Sequence, residues 1–422
     1  MKKALFFSYF WPPSGKASLL QPLKLVTYLP EFGIEPVVVT VNEESFTEKD
    51  TSMLALVPKN LRIIRTDVWE PFDLYRKLIG KPKSEKLVAS ETISTENTSF
   101  AHKFSVWLRM NLFIPDARIG WYPYAVKACS KLLQKEKFDY IITNGPPHST
   151  HLIGKKLSKK FDIPHITIFI DPWVDIAYYQ GMKRSALTLF IDNYMEKSVV
   201  NNAKLNIFVT PSTMNDFVRK YPSIKNKSAV INWGYDAKAF PKADSSVKTN
   251  RKEKIIVHAG NIFDFQNPAA LWKCISDRIS KGELFRIRFV GSVSPLVKKS
   301  ISDFNLDGIT EYVGYIPYQK MLEELLLADY LLVCATEKRH IPGKLYEYMH
   351  TGNPIIAFAD DNPDIEELLA KTKSGMLFRY SESPEPFFEN RQQLKPDSKA
   401  AMQYDLRALT GRLSELLSTI KD

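Results

Sequence analysis

The chain has 422 residues, 44% hydrophobic and 25% charged. That length exceeds the ~250–300 residues at which one core stops growing, and the balance excludes a one-core module, a fibrous protein and wholesale disorder. Lys and Arg outnumber Asp and Glu by 58 to 47, a formal net charge of +11, which favours polyanions, phosphorylated substrates or anionic lipid.

Met1 to Trp11 mimics a short secretory leader, but Pro12-Pro13 cuts the apolar run and no small-residue cleavage site follows, so it reads as a buried first strand. Short β-branched or aromatic runs alternate with helix-period segments, the pattern of βα units and parallel sheets. The first series of strands falls at 4–9, 36–41, 61–65, 140–143, 166–170, 205–209 and 229–232. Polar residues 80–99 read as a mobile insertion in that series or, equally, as an ordinary surface loop. Residues 236–253, rich in Lys, Asp, Ser and Ala, read as an interdomain linker. A second series follows at 255–258, 286–290, 311–313, 330–334, 355–358 and 375–378, and leucines 406, 409, 413, 416 and 417 mark an amphipathic last helix. The expected organisation is a domain over 1–235, a linker over 236–253, a second domain over 254–400 and a closing helix over 401–422.

Cys129, Cys274 and Cys334 stand far apart in apolar stretches, with neither a disulfide framework nor a Cys-x-x-Cys spacing, and fit a reducing cytoplasm. No apolar run approaches the ~18 residues of a membrane-spanning helix. Any membrane contact is therefore expected to be peripheral. Phe100, Phe104, Trp107, Leu108 and Leu112, with the lysines at 155, 156, 159 and 160, are the sequence's candidates for it.

In open parallel sheets, ligands sit beyond the carboxyl ends of the strands, so the loops after strands carry the functional reading. The strongest runs from Glu337 to Gly352 after the strand ending at Cys334. Pro342 suits a first helical position and Gly352 the residue past the last turn. The start of that helix, with Lys338, Arg339, His340 and Lys344, makes a seat for a diphosphate. Lys344 and Glu347 share a face, placing a carboxylate one turn deeper for ribose hydroxyls. A solvated Lys–Glu pair on a surface helix is the plainer alternative. Gly260 with Asn261, Gly291, and Gly314 before Tyr315 and Ile316 end three further strands and allow close backbone approach. No Gly-x-Gly-x-x-Gly or P-loop is present, which sets dehydrogenases and P-loop kinases behind.

In the first half, Gly15 and Lys16 follow the first strand and could meet a phosphate or sugar, or form a plain turn. His148 begins the loop after the 140–143 strand and could bind a sugar hydroxyl, assist proton movement or start a helix. Asp171 and Trp173 end the next strand, a carboxylate and an aromatic wall suited to sugars, with Asp171 as a helix cap the alternative. There is no Asp-x-Asp or metal-binding His spacing, so no metal and no cofactor is expected.

Trp11-Pro12-Pro13, Pro30-Glu31-Phe32-Gly33, Pro36 to Thr40, Pro115 to Trp121, Gly145 to His148 and Asp171-Pro172-Trp173 resemble the acceptor domain of bacterial family-4-like glycosyltransferases of the GT-B fold. Pro342 to Met349 with Gly352-Asn353-Pro354 resembles their donor-site helix. The resemblance implies two Rossmann-like doubly wound α/β domains facing a cleft, with the last helix crossing back to the first. It also implies metal-independent, retaining transfer from a nucleotide sugar, UDP- or GDP-linked. Carried over, Lys344 holds the diphosphate, Glu347 the ribose, Gly15 lies beside the phosphates and His148 contacts the sugar, with Asp116, Arg118, Asp171 and Trp173 on the acceptor side. Two departures stand out. Relatives often carry a glutamate where this chain has Arg339, with Glu337 two residues away, and 261–272 lacks their basic residues.

The expected function is a cytoplasmic transferase, peripheral on the inner face of the membrane, acting on a saccharide or lipid-linked acceptor in cell-surface polysaccharide or glycolipid synthesis. The alternatives are a nucleotide-sugar epimerase or hydrolase on the same fold, or a non-catalytic nucleotide-sugar-binding scaffold. Nucleic acid is not an expected partner, since the charge comes without interleaved aromatic platforms.

Overall fold

The computed structural model describes residues 1–69, 100–176, 179, 182–241, 251–335, 338–390 and 394–420. The expected insertion at 80–99 and Glu337 lie outside them. The chain forms two compact units: Met1–Val209 with Thr213–Ile231 and Thr410–Asp422, and Thr210–Ser212 with Asn232–Leu409.

The first unit carries strands β1 (Lys2–Ser8), β2 (Ile34–Val41), β3 (Arg62–Thr66), β4 (Tyr140–Gly145), β5 (His165–Phe169), β6 (Leu205–Phe208) and β7 (Ser228–Val230). They form one sheet in the order β3-β2-β1-β4-β5-β6-β7, every neighbouring pair parallel. Its helices are α1 (Leu20–Tyr28), α2 (Phe100–Leu112), α3 (Tyr122–Leu133), α4 (Ser149–Phe161), α5 (Ala186–Asn202) and α6 (Pro211–Lys220). β1 and β4 are buried almost throughout, which is why they read as continuous apolar runs rather than alternating ones. The order reverses between β1 and β4, so the Trp11–Lys16 and Gly145–His148 loops both leave the sheet at its switch point.

The second unit repeats the scheme with β8 (Lys254–Ala259), β9 (Phe285–Val290), β10 (Thr310–Tyr312), β11 (Tyr330–Cys334), β12 (Ile355–Phe358) and β13 (Gly375–Phe378), in the order β10-β9-β8-β11-β12-β13, again all parallel. Helices α7 (Ala269–Ser280), α8 (Pro295–Asp303), α9 (Tyr318–Leu327), α10 (Lys344–Thr351), α11 (Pro363–Thr372), α12 (Glu385–Glu389), α13 (Ser398–Met402) and α14 (Leu406–Ser418) accompany them. Here the switch point lies between β8 and β11, the strands feeding Gly260 and α10.

One boundary differs from the reading of the sequence. Residues 232–241, divided between the expected first domain and linker, pack into the second unit: Tyr235 and Phe240 each lie 4.4 Å, ring to ring, from His350, and Tyr235 N–H donates to the Tyr404 carbonyl. Three aromatics, Trp233, Tyr235 and Phe240, outweigh the polar composition of this stretch. The end of α14 belongs with the first unit, where Ser414 Oγ donates to the Phe32 carbonyl and the Tyr140 hydroxyl donates to that of Leu417.

One edge of each sheet is charged. On β3, Arg62 forms a fork onto Glu136 at 2.7 and 2.9 Å, and Arg65 donates to the Val41 and Pro12 carbonyls. On β10, Glu311 accepts from Arg286 and Arg288 of β9, and Arg288 also grips Glu324.

Within the first unit, Thr143 Oγ1 lies 2.8 Å from His151 Nδ1 and 2.8 Å from His165 Nε2. One hydroxyl can donate only one proton, so at least one ring must present N–H to it. Burial lowers His165 to about 3 and His151 well below its ordinary value. Below pH ~6.5 the unfolded chain takes up protons that these folded rings refuse, so stability falls with acidification. Amide exchange in the first unit is expected to show a loss approaching about 1.4 kcal/mol per pH unit for each ring between pH 6.5 and 5.

Candidate functional site

β8 ends Ile-Ile-Val-His-Ala, delivering the buried imidazole of His258 to the switch point. Its Nδ1 faces the Leu332 carbonyl at 3.0 Å and carries the proton there, which leaves Nε2 as a lone pair 3.3 Å from Lys344 Nζ. Lys344 opens α10 and is half-buried. Desolvation lowers its ammonium to about 8 and drives His258 well below its ordinary value, with the Lys344 charge as a second cause. Among the described residues no carboxylate forms an ion pair with Lys344.

The backbone above this cation must be glycine. At Gly260, φ is +95° and a Cβ would stand 2.9 Å from Lys344 Nζ; at Gly291, φ is +130° and a Cβ would meet the Gly260 carbonyl oxygen at 2.5 Å. Gly260 N–H donates to the Val290 carbonyl and Gly291 N–H to that of Gly314, so the three glycine loops nest on one another. Asn261 Oδ1 accepts from Ser292 N–H at 3.2 Å. One turn into α10, Glu347 Oε1 accepts from the Tyr318 hydroxyl at 2.7 Å. Burial raises Glu347 to about 7, with Tyr318 and Lys344 pulling the other way. The next residue, Tyr348, accepts from Ala259 N–H at 2.8 Å and ties α10 to the end of β8. Gly343 lies against Trp233, with a Cβ there 2.6 Å from the indole nitrogen.

Of the residues singled out from the sequence, Gly260, Gly291 and Lys344 come together, with Asn261 on the neighbouring loop. Glu347 faces Tyr318 two residues beyond Ile316, whereas Tyr315 is 83% exposed. The Arg339 carbonyl accepts from Thr210 Oγ1. His258, Tyr318 and Tyr348 were missed. The signal for His258 was a titratable residue inside an otherwise apolar strand. Phe263 and Phe265, exposed and stacked at 5.6 Å, also escaped notice.

The first unit corrects several expectations. Trp173 is not an exposed sugar wall: it is 1% exposed, donates from Nε1 to Asp192 Oδ1 at 2.7 Å and stacks on His148 at 5.2 Å. Asp116 anchors the start of α4, accepting from Ser149 N–H, Ser149 Oγ and Arg118 N–H. Arg118 lies over the Tyr9 ring. His148 faces the Pro172 carbonyl through Nε2 at 3.2 Å, has no partner at Nδ1 among the described residues and is lowered by burial to about 3. It is a neutral ring, unsuited to proton relay near pH 7. Asp171 is partly exposed at the end of β5. Gly15 N–H donates to the Glu48 carbonyl and Lys16 pairs with the Glu48 carboxylate at 3.0 Å.

Among the described residues no group of three or more His, Cys, Asp or Glu could hold a metal ion, and no helix is long and apolar enough to cross a membrane. Gly291→Ala is expected to destabilise the second unit by about 2 kcal/mol or more, from positive φ and the clash with Gly260 together. Denaturant unfolding followed by β8 and α10 amide exchange checks it.

Two family models match: Glycosyltransferase Family 4 over residues 94–239 and Glycosyl transferases group 1 over 253–395. No curated protein matches the chain. Among solved structures, sucrose-phosphate synthase from Thermosynechococcus elongatus is 15% identical with a TM-score of 0.65, covering 99% of this chain and 98% of its own. HepE from Anabaena, solved with UDP, is 13% identical with a TM-score of 0.66 over 100% of both chains. A glycosyltransferase from Rickettsia africae is 13% identical with a TM-score of 0.61, covering 99% of this chain and 98% of that one. At these identities the likeness speaks for the GT-B fold.

Proposed function

We propose, for a chain that belongs to the family 4 and group 1 glycosyltransferases, metal-independent transfer of a sugar, with retained anomeric configuration, from a nucleoside diphosphate donor to a saccharide or lipid-linked acceptor. Membership supplies the reaction class, glycosyl transfer from a nucleotide sugar. One observation carries the finer reading. Lys344 is a half-buried cation with no carboxylate partner among the described residues, set beneath glycines at a sheet's switch point.

Such a cation suits a diphosphate. As the bond from the anomeric carbon to the diphosphate oxygen breaks, negative charge grows on the leaving group, and a fixed ammonium beside a helix start stabilises it without reorganisation. Glu347 accepts hydrogen bonds from ribose hydroxyls, with Tyr318 fixing one carboxylate oxygen. His148 is proposed as a sugar contact. Gly15, Lys16, Asn261, Tyr315, Ile316, Glu337 and Arg339 are proposed as further donor contacts, and Arg118 and Asp171 on the acceptor side. No side chain is assigned as a covalent nucleophile. HepE, solved with UDP and with UDP-glucose, supports a UDP sugar over a GDP sugar. We place the activity in the cytoplasm, at the inner face of the membrane, in cell-surface polysaccharide or glycolipid synthesis.

Lys344→Ala is expected to lower kcat by about 100-fold or more and to abolish the thermal shift given by UDP, with shift and turnover unaltered by EDTA. Retained turnover in a folded Lys344→Ala protein would overturn the assignment. The pH profile gives a second check. Glu347 must be ionised, which happens above about 7, and Lys344 must be charged, which is lost above about 8. A narrow bell in kcat/KM is therefore expected, and Glu347→Gln should remove its acid limb while keeping the alkaline one.

A further inference from the structure

α5 packs onto its own unit partly through polar groups. Its inward face buries Val199 and Val200 in an apolar cluster near its end and, before them, Thr188, Asp192 and Glu196, with Asp192 held by Arg184 and Trp173, and Glu196 by Lys220, Tyr221 and the Val174 N–H. Its outward face presents Leu187, Phe190 and Tyr194, 67%, 71% and 67% exposed, at the three- and four-residue spacing of one helical stripe. Over its first turns the ordinary arrangement, apolar inward and polar outward, is reversed. The apolar stripe is thus not what packs α5 onto its own domain.

α2 lies beside the start of α5. Asn111 joins the two helices, its Oδ1 accepting from Ser185 N–H at 2.6 Å and from Thr188 Oγ1 at 2.8 Å, and its Nδ2 donating to the Lys183 carbonyl. Leu112, the next residue, and Trp107 are exposed there. One turn past Tyr194, Lys155 of α4 donates to Ser198 Oγ at 2.6 Å. It borders a groove of about 480 Å³ lined by Tyr122, Leu152 and Met195 together with Lys155, Lys156 and Lys159. An exposed aromatic and aliphatic stripe beside a lysine-lined apolar groove is complementary to one kind of surface, apolar below and anionic at its phosphates.

We propose that this face docks the protein on an anionic phospholipid bilayer, Leu187, Phe190 and Tyr194 entering the headgroup layer while Lys155, Lys156 and Lys159 meet lipid phosphates. The proposal deepens the membrane placement given above, on which it rests, and moves its seat from the α2 stripe to α5; Phe100 and Phe104, expected to contribute, have side chains outside the described residues.

The test is flotation of the full chain with vesicles of phosphatidylcholine alone and of phosphatidylcholine with phosphatidylglycerol, at low and high salt. Binding is expected only to the anionic vesicles, weakened by salt. It should weaken at least about tenfold in Leu187→Ser/Phe190→Ser and in Lys156→Glu/Lys159→Glu, all four side chains being exposed and spared by folding. Unchanged binding by either variant, or no binding by the wild type, would overturn the proposal. So would sedimentation velocity showing a dimer that the Phe190 variant dissociates, since the stripe would then belong to a second copy. The UDP thermal shift, measured on the same samples, should survive in both variants. Its absence from the wild type with vesicle binding intact would instead strike at the donor-site reading.

Discussion

An ammonium that leans on a neutral imidazole instead of a carboxylate sets the terms for the second unit. Such a cation is expensive to bury, and the surroundings of Lys344 lower the penalty without cancelling its charge. The Leu332 carbonyl fixes the His258 tautomer so that a lone pair faces the amine, glycines keep side chains away from above, and the Tyr348 hydroxyl binds α10 to the end of β8. A carboxylate partner would have made a more stable protein and a poorer anion seat. Glu347 sits one turn away with its own hydroxyl partner, close enough to feel the lysine yet free of an ion pair with it.

The first unit treats its polar residues differently. Asp116, Trp173, Asp192 and Glu196 are all consumed in holding α4, α5 and their loops, each with partners that complete its hydrogen bonding. The three buried histidines, His148, His151 and His165, are kept neutral by the same burial. What this unit offers outward is accordingly limited: the turn at Gly15, the partly exposed Asp171, and the surface of α5 with the lysines of α4.

Much of the architecture was legible because parallel strands buried on both faces leave unbroken apolar runs, and every such run became a strand. α10 was legible from its ends, where Pro342 precedes the start and Gly352, at φ +71°, closes it. What escaped were relations between distant residues. His258 and Lys344 are 86 positions apart and Tyr318 and Glu347 are 29, and nothing local announces either pair. Trp173 shows the converse. An aromatic at a strand end looks the same in sequence whether it faces solvent or the core, and only Asp192, on a helix further along, decides. The stretch 232–241 misled by composition, since Trp233, Tyr235 and Phe240 bring it into the second core.

The charged edges of the two sheets have a consequence for the life of the protein in a crowded cell. A parallel sheet of six or seven strands ends in unsatisfied backbone groups, and an open edge is an invitation to another chain. β10 has only three residues, and β3 carries Arg62 and Arg65 locked to neighbours on the same unit. An incoming strand would have to displace the Glu311 and Glu136 pairings before it could add to either ladder. Folding intermediates that expose these edges therefore meet a charged barrier to polymerisation, which suits a large two-domain chain with apolar strands throughout.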